Sequence, residues 1–264
     1  MPILTAPTTT TSTAPTGSTA RTRVLAGRRV LVPGGTGAVG EGVVRAYLDA
    51  GADVVVPSRS AVRAAELHAL LGPEDAARLH VFEHDYTTFA GAGSLVATML
   101  DRLGGVDDVV APIGGWWAGR RLTEVEDTDW QSAFVGLATT HLAVARAALP
   151  HLPRQGAYAV VVGQSAHHPV PGSGLVSMEQ AAVLMMQRVL AAEAGDEARV
   201  FALVLGPVRT RAVAGEPAWV SAAQVGSVAV ALSADPSLTS AELGLGDGDA
   251  ARAVLEELAD RTGR

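Results

Sequence analysis

The chain has 264 residues, of which 48% are hydrophobic and 18% charged, a composition typical of a globular protein large enough to bury its own core. Its net charge of −7 argues against a nucleic-acid partner, because phosphate binding requires clustered positive charge. The lack of cysteine excludes disulfides and cysteine-ligated metals, and no apolar run approaches the roughly 20 residues that span a membrane.

The first 26 residues differ in composition from the rest. They are rich in threonine and proline, and such a segment buries too little apolar surface to offset the entropy lost on ordering. We therefore expect residues 1–26 to be a disordered tail and residues 27–264 to form one domain. The tail has neither the basic start nor the apolar run of a secretion signal, which favours a cytoplasmic location.

Valine-rich runs alternate with helical patterns from Arg29 onward. These runs have the length and composition of buried parallel strands, and they lie at Val30–Val32, Val54–Val56, Leu79–Phe82, Val109–Val110, Tyr158–Val162 and Val200–Leu205. Apolar residues recur at helical spacing between them, as in Trp130–Ala145, and a last amphipathic helix is predicted at Asp249–Thr262. The alternation predicts an α/β fold: a single Rossmann-like, doubly wound parallel sheet with helices on both faces.

The first predicted strand runs into a glycine-rich loop and then into a helix. Gly34, Gly37 and Gly40 allow a tight turn and a close approach of pyrophosphate to the backbone, and the helix N-terminus offers free N–H groups to the phosphates. Because the loop lies between a strand and a helix, we interpret it as a dinucleotide site rather than a merely tight turn.

The end of the second strand indicates which dinucleotide binds. Folds that prefer NAD carry an acid there for the ribose hydroxyls, whereas this chain has Ser58, Arg59 and Ser60. A guanidinium can form two hydrogen bonds to a 2′-phosphate that a carboxylate would repel, which favours NADP(H). The alternative is that Arg59 is an ordinary solvated side chain at the start of a helix.

Two aromatic residues follow the fourth strand, where the carboxyl edge of the sheet is predicted. Trp116 and Trp117 come after two glycines. They could form an aromatic wall of a pocket for a flat substrate, pack under the next helix or contact another subunit. The sequence leaves these three roles open.

The loop after the fifth strand carries the candidate catalytic residues. Ser165, His167 and His168 lie in it, and histidine titrates near neutral pH, so that it can act as an acid or a base. The alternative is that both histidines are solvated. No carboxylate lies nearby with ligand spacing, so we expect no metal site.

Several segments resemble the short-chain dehydrogenase/reductase family, between Arg29 and about Asp247. The glycine loop is similar to the family's TGxxGxxG variant, Asp85 matches an acid that contacts the adenine, and Leu205–Thr210 is similar to the segment that closes over the nicotinamide. The resemblance implies NADP(H) as cofactor and a small-molecule substrate. Family members commonly pair through the helices after the fourth and fifth strands, so we expect a homodimer or homotetramer, or a hetero-oligomer with a related chain.

The family's catalytic residues are missing from this chain. Alignment on the helix that follows the family's YxxxK motif places Val176 at the tyrosine and Gln180 at the lysine, while the family serine falls at Gly163, two residues before Ser165. The chain contains no lysine and no asparagine, so no other alignment restores the set. A tyrosine needs a neighbouring cation to work near neutral pH, so the family's proton transfer cannot operate, although Gln180 can still hydrogen-bond the cofactor ribose.

The predicted site residues form three groups. The catalytic candidates are Ser165, His167 and His168. The substrate-pocket candidates are Trp116, Trp117 and Val176. The cofactor-binding candidates are Gly34, Thr36, Gly37, Gly40, Ser58, Arg59, Asp85, Gly114, Gln180, Gly206 and Thr210.

Three functions stay open at this point. We favour an NADP(H)-binding oxidoreductase that acts on a small carbonyl or enone substrate, with a histidine, Ser165 or a water as a nonstandard proton donor. The second is an enzyme on the same scaffold without net hydride transfer, such as a cyclase, an isomerase or an eliminase. The third is a catalytically inert subunit that supports a partner, since fold alone does not decide function.

Overall fold

The computed structural model describes residues 23–262 and has the predicted α/β architecture. The strands in this part of the chain are β1 Arg29–Leu31, β2 Asp53–Ser58, β3 Leu79–Glu83, β4 Asp108–Ala111, β5 Ala157–Gly163, β6 Arg199–Leu205, β7 Val208–Arg209, β8 Val220–Ser221 and β9 Glu242–Leu245. The helices are α1 Ala38–Asp49, α2 Ala61–Ala69, α3 Pro73–Ala76, α4 Phe89–Leu103, α5 Asp127–Trp130, α6 Gly136–Ala148, α7 Gly174–Ala194, α8 Ala222–Ala234 and α9 Gly248–Thr262.

Seven parallel strands form the main sheet, in the order β3-β2-β1-β4-β5-β6-β9. Six of them are the predicted strands, so the doubly wound parallel sheet is confirmed. The prediction missed β9, which pairs with β6 at one edge of the described sheet and contains mostly residues that are not buried. Such an edge strand lacks the continuous apolar run that marks a strand covered on both faces.

Helices cover both faces of the sheet. Alternate strand residues point to opposite faces, so Val30 and Val32 join one core while Leu31 joins the other. The first core packs against α1, α8 and α9, and the second against α4, α6 and α7. The strands are rich in valine because both of their faces are buried.

The helix predicted around Trp130–Ala145 is present, but it is not uniform. A π-helical segment, Gln131–Val135, joins α5 to α6. The whole helical stretch Asp127–His151 is long and apolar enough to cross a membrane by length and composition, with a mean hydropathy of 1.3 in its most apolar window. In this fold one face of α6 packs on the sheet, as the buried Val144 and Ala148 show.

The predicted tail lies outside the described residues, apart from residues 23–26. These four form a turn, and Leu25 in it is 2% exposed and belongs to the first core. Its N–H donates a hydrogen bond to the carbonyl of Ala50 at 2.9 Å. The packed domain therefore includes residues that precede the predicted boundary at residue 27.

The amino edge of the sheet is held by ion pairs. Arg28 donates hydrogen bonds from Nε and Nη2 to the carboxylate of Asp108, which is fully buried at the start of β4. The same carboxylate accepts the N–H of Ala157 at the start of β5 at 2.8 Å. Asp108 thus joins the segment before β1 to the two strands at the centre of the sheet.

Candidate functional site

An apolar cavity of about 680 Å³ lies at the carboxyl edge of the sheet, where the strand order reverses between β1 and β4. The loops after β1, β4, β5 and β6 line it together with the start of α7. Ligands of doubly wound sheets bind at this switch point. Among the described residues that line it, only Trp116, Gln164, Ser165 and Gln180 have side chains with polar atoms, and none of these four is ionisable near neutral pH.

The glycine loop forms one end of the cavity. Gly34 has a φ of +89°, and a Cβ on it would collide with the backbone of Pro112. A Cβ on Gly40 would collide with the backbone of Gly34, so the loop can close against α1 only because both positions lack a side chain. Gly37 is the N-cap residue of α1, and it has no side chain that could accept a hydrogen bond from the first N–H groups of the helix. The first N–H groups of α1 therefore face the cavity as donors for an anion.

Gln180 and Ser165 form the polar part of the opposite wall. The side-chain Oε1 of Gln180 accepts hydrogen bonds from the Gly163 N–H and the Ser165 hydroxyl. Val176, one turn earlier on α7, is 3% exposed and also lines the cavity. Of the three catalytic candidates, Ser165 alone lies at this wall.

The two predicted histidines, unlike Ser165, are not among the residues that line the cavity. His167 Nε2 lies 2.5 Å from Glu242 Oε1 on β9, and Glu242 also accepts a hydrogen bond from Arg188. His168 is exposed, and neither histidine is among the cavity residues. The local sequence did not reveal this, because Glu242 lies 75 residues further along the chain.

The two tryptophans have different surroundings. Trp116 is 74% exposed and lines the cavity, so it can contact a ligand there. The indole N–H of Trp117 donates to Asp129 Oδ1 on α5 at 3.0 Å, and Trp117 is not among the lining residues. Of the roles that the sequence left open, Trp116 thus has the position of a pocket residue, whereas Trp117 packs against a helix.

The residues predicted to bind the adenosine half lie near the ends of β2 and β3. Arg59 is exposed, whereas Ser58 is 3% exposed and its hydroxyl donates to the carbonyl of Ser60. Hydrogen bonds from the hydroxyl and N–H of Thr87 hold the pKa of Asp85 below its usual range, and the positive charge of nearby Arg59 lowers it further. Asp85 is thus an ionised acceptor beside a guanidinium.

The remaining predicted cofactor residues divide between the cavity and its surroundings. Gly114 and Gly206 line the cavity. Thr36 and Thr210 are not among the lining residues, and Thr210 Oγ1 instead accepts the N–H of Val213 at 3.1 Å. The structure thus brings the glycine loop, Gly114, Gly206 and the Ser165–Gln180 pair together around one space.

A buried pair close to the cavity was missed by the sequence analysis. His141 on α6 and Glu179 on α7 have side chains that are 1% and 3% exposed. His141 Nε2 lies 2.9 Å from the carbonyl oxygen of Ile113, a lining residue. The sequence did contain an indication of this pair, because each of the two predicted helices carries an ionisable residue on its apolar face.

Comparisons with known proteins agree with this architecture. Residues 35–235 match the family described as enoyl-(acyl carrier protein) reductase. The chain is 30% identical over 193 residues to the Homo sapiens protein dehydrogenase/reductase SDR family member 2, mitochondrial, a match that covers 72% of this chain and 68% of that protein. It is 31% identical over 153 residues to the hydroxysteroid 11-beta-dehydrogenase 1-like protein of Xenopus tropicalis, which covers 56% of this chain and only about half, 51%, of that relative.

A solved short chain dehydrogenase from Burkholderia cenocepacia, in complex with NADP, has the same fold, with a TM-score of 0.74 at 23% identity over 86% of this chain and 98% of that one. The family match runs from the glycine loop to the end of α8, so it contains all the loops that line the cavity. The chain therefore belongs to the short-chain dehydrogenase/reductase family, a family of NAD(P)-dependent oxidoreductases.

Proposed function

We propose that this protein is an NADP(H)-dependent oxidoreductase that acts on a small, uncharged carbonyl or enone substrate without the tyrosine and lysine of its family. The observation that carries the proposal is the apolar cavity that extends from the N-terminus of α1, where no side-chain hydrogen bond caps the helix, to the Gln180 side chain. One end offers donors for a pyrophosphate, and the other offers apolar walls with a few polar atoms, as in many small-molecule sites.

The residues present fit NADP(H). The N–H groups at the start of α1 would hold the pyrophosphate, because Ala38, Val39 and Gly40 border the cavity and no side-chain hydrogen bond caps the helix there. Arg59 would pair with the 2′-phosphate, Asp85 would accept from the adenine, and Gln180 would donate to a ribose hydroxyl. When bound, the cofactor supplies or accepts the hydride. The NADP in the Burkholderia cenocepacia structure supports the assignment.

The side chains of the cavity limit how a proton can move. Val176 neither donates nor accepts one, and among the lining side chains that the structure describes Ser165 has the only hydroxyl. None of the three tyrosines, Tyr47, Tyr86 and Tyr158, lines the cavity. The proton that accompanies the hydride therefore comes from water, either directly or through the Ser165 hydroxyl.

This limit favours an enone over an isolated ketone. Hydride addition to a ketone gives an alkoxide, a strong base that forms readily only beside a good acid. Hydride addition to an enone gives a delocalised enolate, a weaker base that water can protonate at carbon. The absence of an ionisable group from the described lining of the cavity is thus a smaller obstacle for an enone.

Calorimetric titration of the purified protein with NADPH, and separately with NADH, tests the cofactor assignment. We expect micromolar binding of NADPH and much weaker binding of NADH. The loss of NADPH absorbance with a cyclic enone, compared with the matching saturated ketone, then tests the substrate class. If neither dinucleotide binds, the proposal is wrong.

A second candidate is an enzyme on this scaffold that transfers no net hydride, such as an isomerase, a cyclase or an eliminase. The lack of ionisable groups around the described cavity favours it, because shape and orientation alone can lower a barrier. Turnover that continues while no reduced cofactor is consumed would identify such an enzyme. A protein that is stable only with a related chain would instead indicate the inert subunit.

The surface supports an oligomer. Leu142 on α6 and Met185 and Val189 on α7 are 42%, 54% and 46% exposed, which places three large apolar side chains on neighbouring helices. We propose that this face pairs with a second subunit. Light scattering should show a dimer or tetramer that Met185→Glu weakens, while a wild-type monomer would contradict the assignment.

A further inference from the structure

Two ionisable side chains that the proposed chemistry does not use are buried between α6 and α7. His141 Nε2 lies 4.0 Å from Glu179 Oε1, and the two side chains are 1% and 3% exposed. Burying a charge is costly unless it is paired, so these groups are either neutral or dependent on each other. A hydrophobic residue at either position would avoid that cost.

One hydrogen bond connects the pair to the cavity. The carbonyl oxygen of Ile113, 2.9 Å from His141 Nε2, can only accept, so Nε2 carries the proton. Ile113 lies in the wall that follows β4, and Glu179 directly precedes Gln180 in the wall formed by α7. The two side chains therefore lie next to each other behind two walls of the cavity, with His141 hydrogen-bonded to one wall and Glu179 on the helix that forms the other.

No other charge shifts the pKa of either residue. Charged side chains on the surrounding helices are exposed or half-buried, namely Asp101 and Arg102 on α4, Asp127 and Asp129 on α5, Arg146 on α6, and Arg188 and Glu193 on α7. Burial raises the pKa of Glu179 to about 7, and it lowers that of His141 to about 4 against the opposing effect of the Ile113 hydrogen bond. Both groups are thus neutral in mildly acidic solution.

We propose that His141 and Glu179 are positioning residues: the neutral pair keeps the Ile113 wall and α7 at the spacing that a ligand needs, and a charge on either side chain loosens that wall. Neither His141 Nδ1 nor Glu179 Oε1 has a hydrogen-bond partner among the described residues. A charge on Glu179 would therefore be uncompensated in the core and would draw the side chain toward water. The inference rests on the proposed function only in taking the cavity as the dinucleotide site.

Urea unfolding across a range of pH tests the pair without any ligand. Folded Glu179 keeps its proton up to about pH 7 but loses it near 4.5 when unfolded, so its contribution to stability is present at low pH and is lost as the pH rises through this window. Folded His141 binds a proton only near pH 4, against 6.5 when unfolded, so its contribution is lost as the pH falls.

These two slopes oppose each other in the wild type, and single variants separate them. Relative to wild type, the urea midpoint of Glu179→Gln should rise with pH, whereas that of His141→Gln should fall. Thr140→Val is the matched control, because Thr140 is similarly buried beside His141 and its hydroxyl donates to the carbonyl of Gly136, within its own helix. It should follow the wild type at every pH.

NADPH titration on both sides of pH 7 tests the effect on the cavity. Wild type and Thr140→Val should bind several-fold more weakly above pH 7, while Glu179→Gln should lose this difference. His141→Gln retains a donor for Ile113 and should bind better than His141→Leu, which has none.

The proposal is overturned if Glu179→Gln has the same pH dependence as wild type in both unfolding and affinity. A wild type that binds no NADPH would contradict the proposed function instead, and the opposite unfolding slopes of the two variants would still decide whether the pair is neutral.

Discussion

The side-chain oxygen of Gln180 accepts a hydrogen bond from the Ser165 hydroxyl at 3.0 Å. The same oxygen accepts the Gly163 N–H at 2.5 Å, and because a backbone N–H can only donate, the orientation of the amide is determined. The amide NH₂ group is not used by these two bonds and is the donor that a ligand can reach. A neutral donor thus occupies the position that the resemblance to the family predicts for its lysine.

Replacing Gln180 separates its two roles. Gln180→Glu keeps an acceptor for Gly163 and Ser165 but has no donor, so we expect NADPH to bind roughly tenfold or more weakly with little change in stability. Gln180→Met loses both bonds and should lower the free energy of unfolding by about 1–3 kcal/mol. Calorimetry and urea unfolding measure the two effects. Wild-type affinity in Gln180→Glu would show that the amide donor has no part in binding.

Arg59→Ala should reduce the affinity for NADPH far more than that for NADH. Loss of hydrogen bonds between a guanidinium and a phosphate corresponds to about 1.5–3 kcal/mol, or roughly a tenfold to hundredfold weaker Kd. Arg154→Ala is the matched control, because this exposed arginine precedes β5, at the opposite edge of the sheet. Equal effects of Arg59→Ala on both dinucleotides would refute the assignment of the 2′-phosphate.

Trp116→Ala should raise KM for an apolar enone roughly fivefold to tenfold, because an aromatic side chain at the cavity mouth contributes about 1–1.5 kcal/mol when it packs on a ligand. The fold should be unaffected, since Trp116 is 74% exposed. Trp117→Phe removes the hydrogen bond to Asp129 but keeps an aromatic ring away from the cavity, and its KM should equal that of wild type. Both KM values are measured with the same enone. An equal rise in KM for the two variants would contradict the different roles of Trp116 and Trp117.

Asp108→Ala should be strongly destabilising. It leaves the Arg28 guanidinium and the Ala157 N–H without their shared acceptor, and breaking a buried ion pair costs about 3–5 kcal/mol. Asp249→Ala removes a carboxylate that is 87% exposed and should change the free energy of unfolding by less than about 0.5 kcal/mol. Urea unfolding of both variants makes the comparison, and similar values for the two would show that the Asp108 pair adds nothing to stability.

The magnitude of the pH effect at Glu179 follows from its pKa. One pKa unit corresponds to about 1.4 kcal/mol, so a pKa of about 7 instead of 4.5 corresponds to about 3 kcal/mol. Relative to wild type, the free energy of unfolding of Glu179→Gln should therefore rise by up to about this amount as the pH increases through the window. Urea unfolding at several pH values, with Thr140→Val alongside, measures it. A constant difference between variant and wild type would mean that Glu179 has an ordinary pKa.

Local patterns predicted most of the fold. Runs such as Val54–Val56 and Val200–Leu205 indicated strands covered on both faces, and the observed β2 and β6 contain them. The position of Gly34 to Gly40 between a strand and a helix indicated the loop that now forms one end of the cavity. The edge strand β9 was missed because a half-exposed strand has no such run.

The candidate site was less predictable, because its members come from distant parts of the chain. Ser165 lies at the cavity wall through Gln180, but His167, two residues later, is directed to Glu242. A sequence pattern shows which residues share a loop, not which partner each side chain meets. The direction of each side chain depends on strands and helices that pack beside the loop.

Residue types and short spacings were enough to predict the doubly wound sheet and the glycine loop, and they show that residues 1–264 contain no lysine and no asparagine. These depend on residue types and on spacings within a few turns or strands, which local sterics and burial govern. The packed fold was needed to show that Trp116 and Gln180 line one cavity while His168 does not, and that His141 lies beside Glu179 in the core. Such contacts join residues that are far apart in the chain, so they exist only once the packed sheet and helices have brought those residues together.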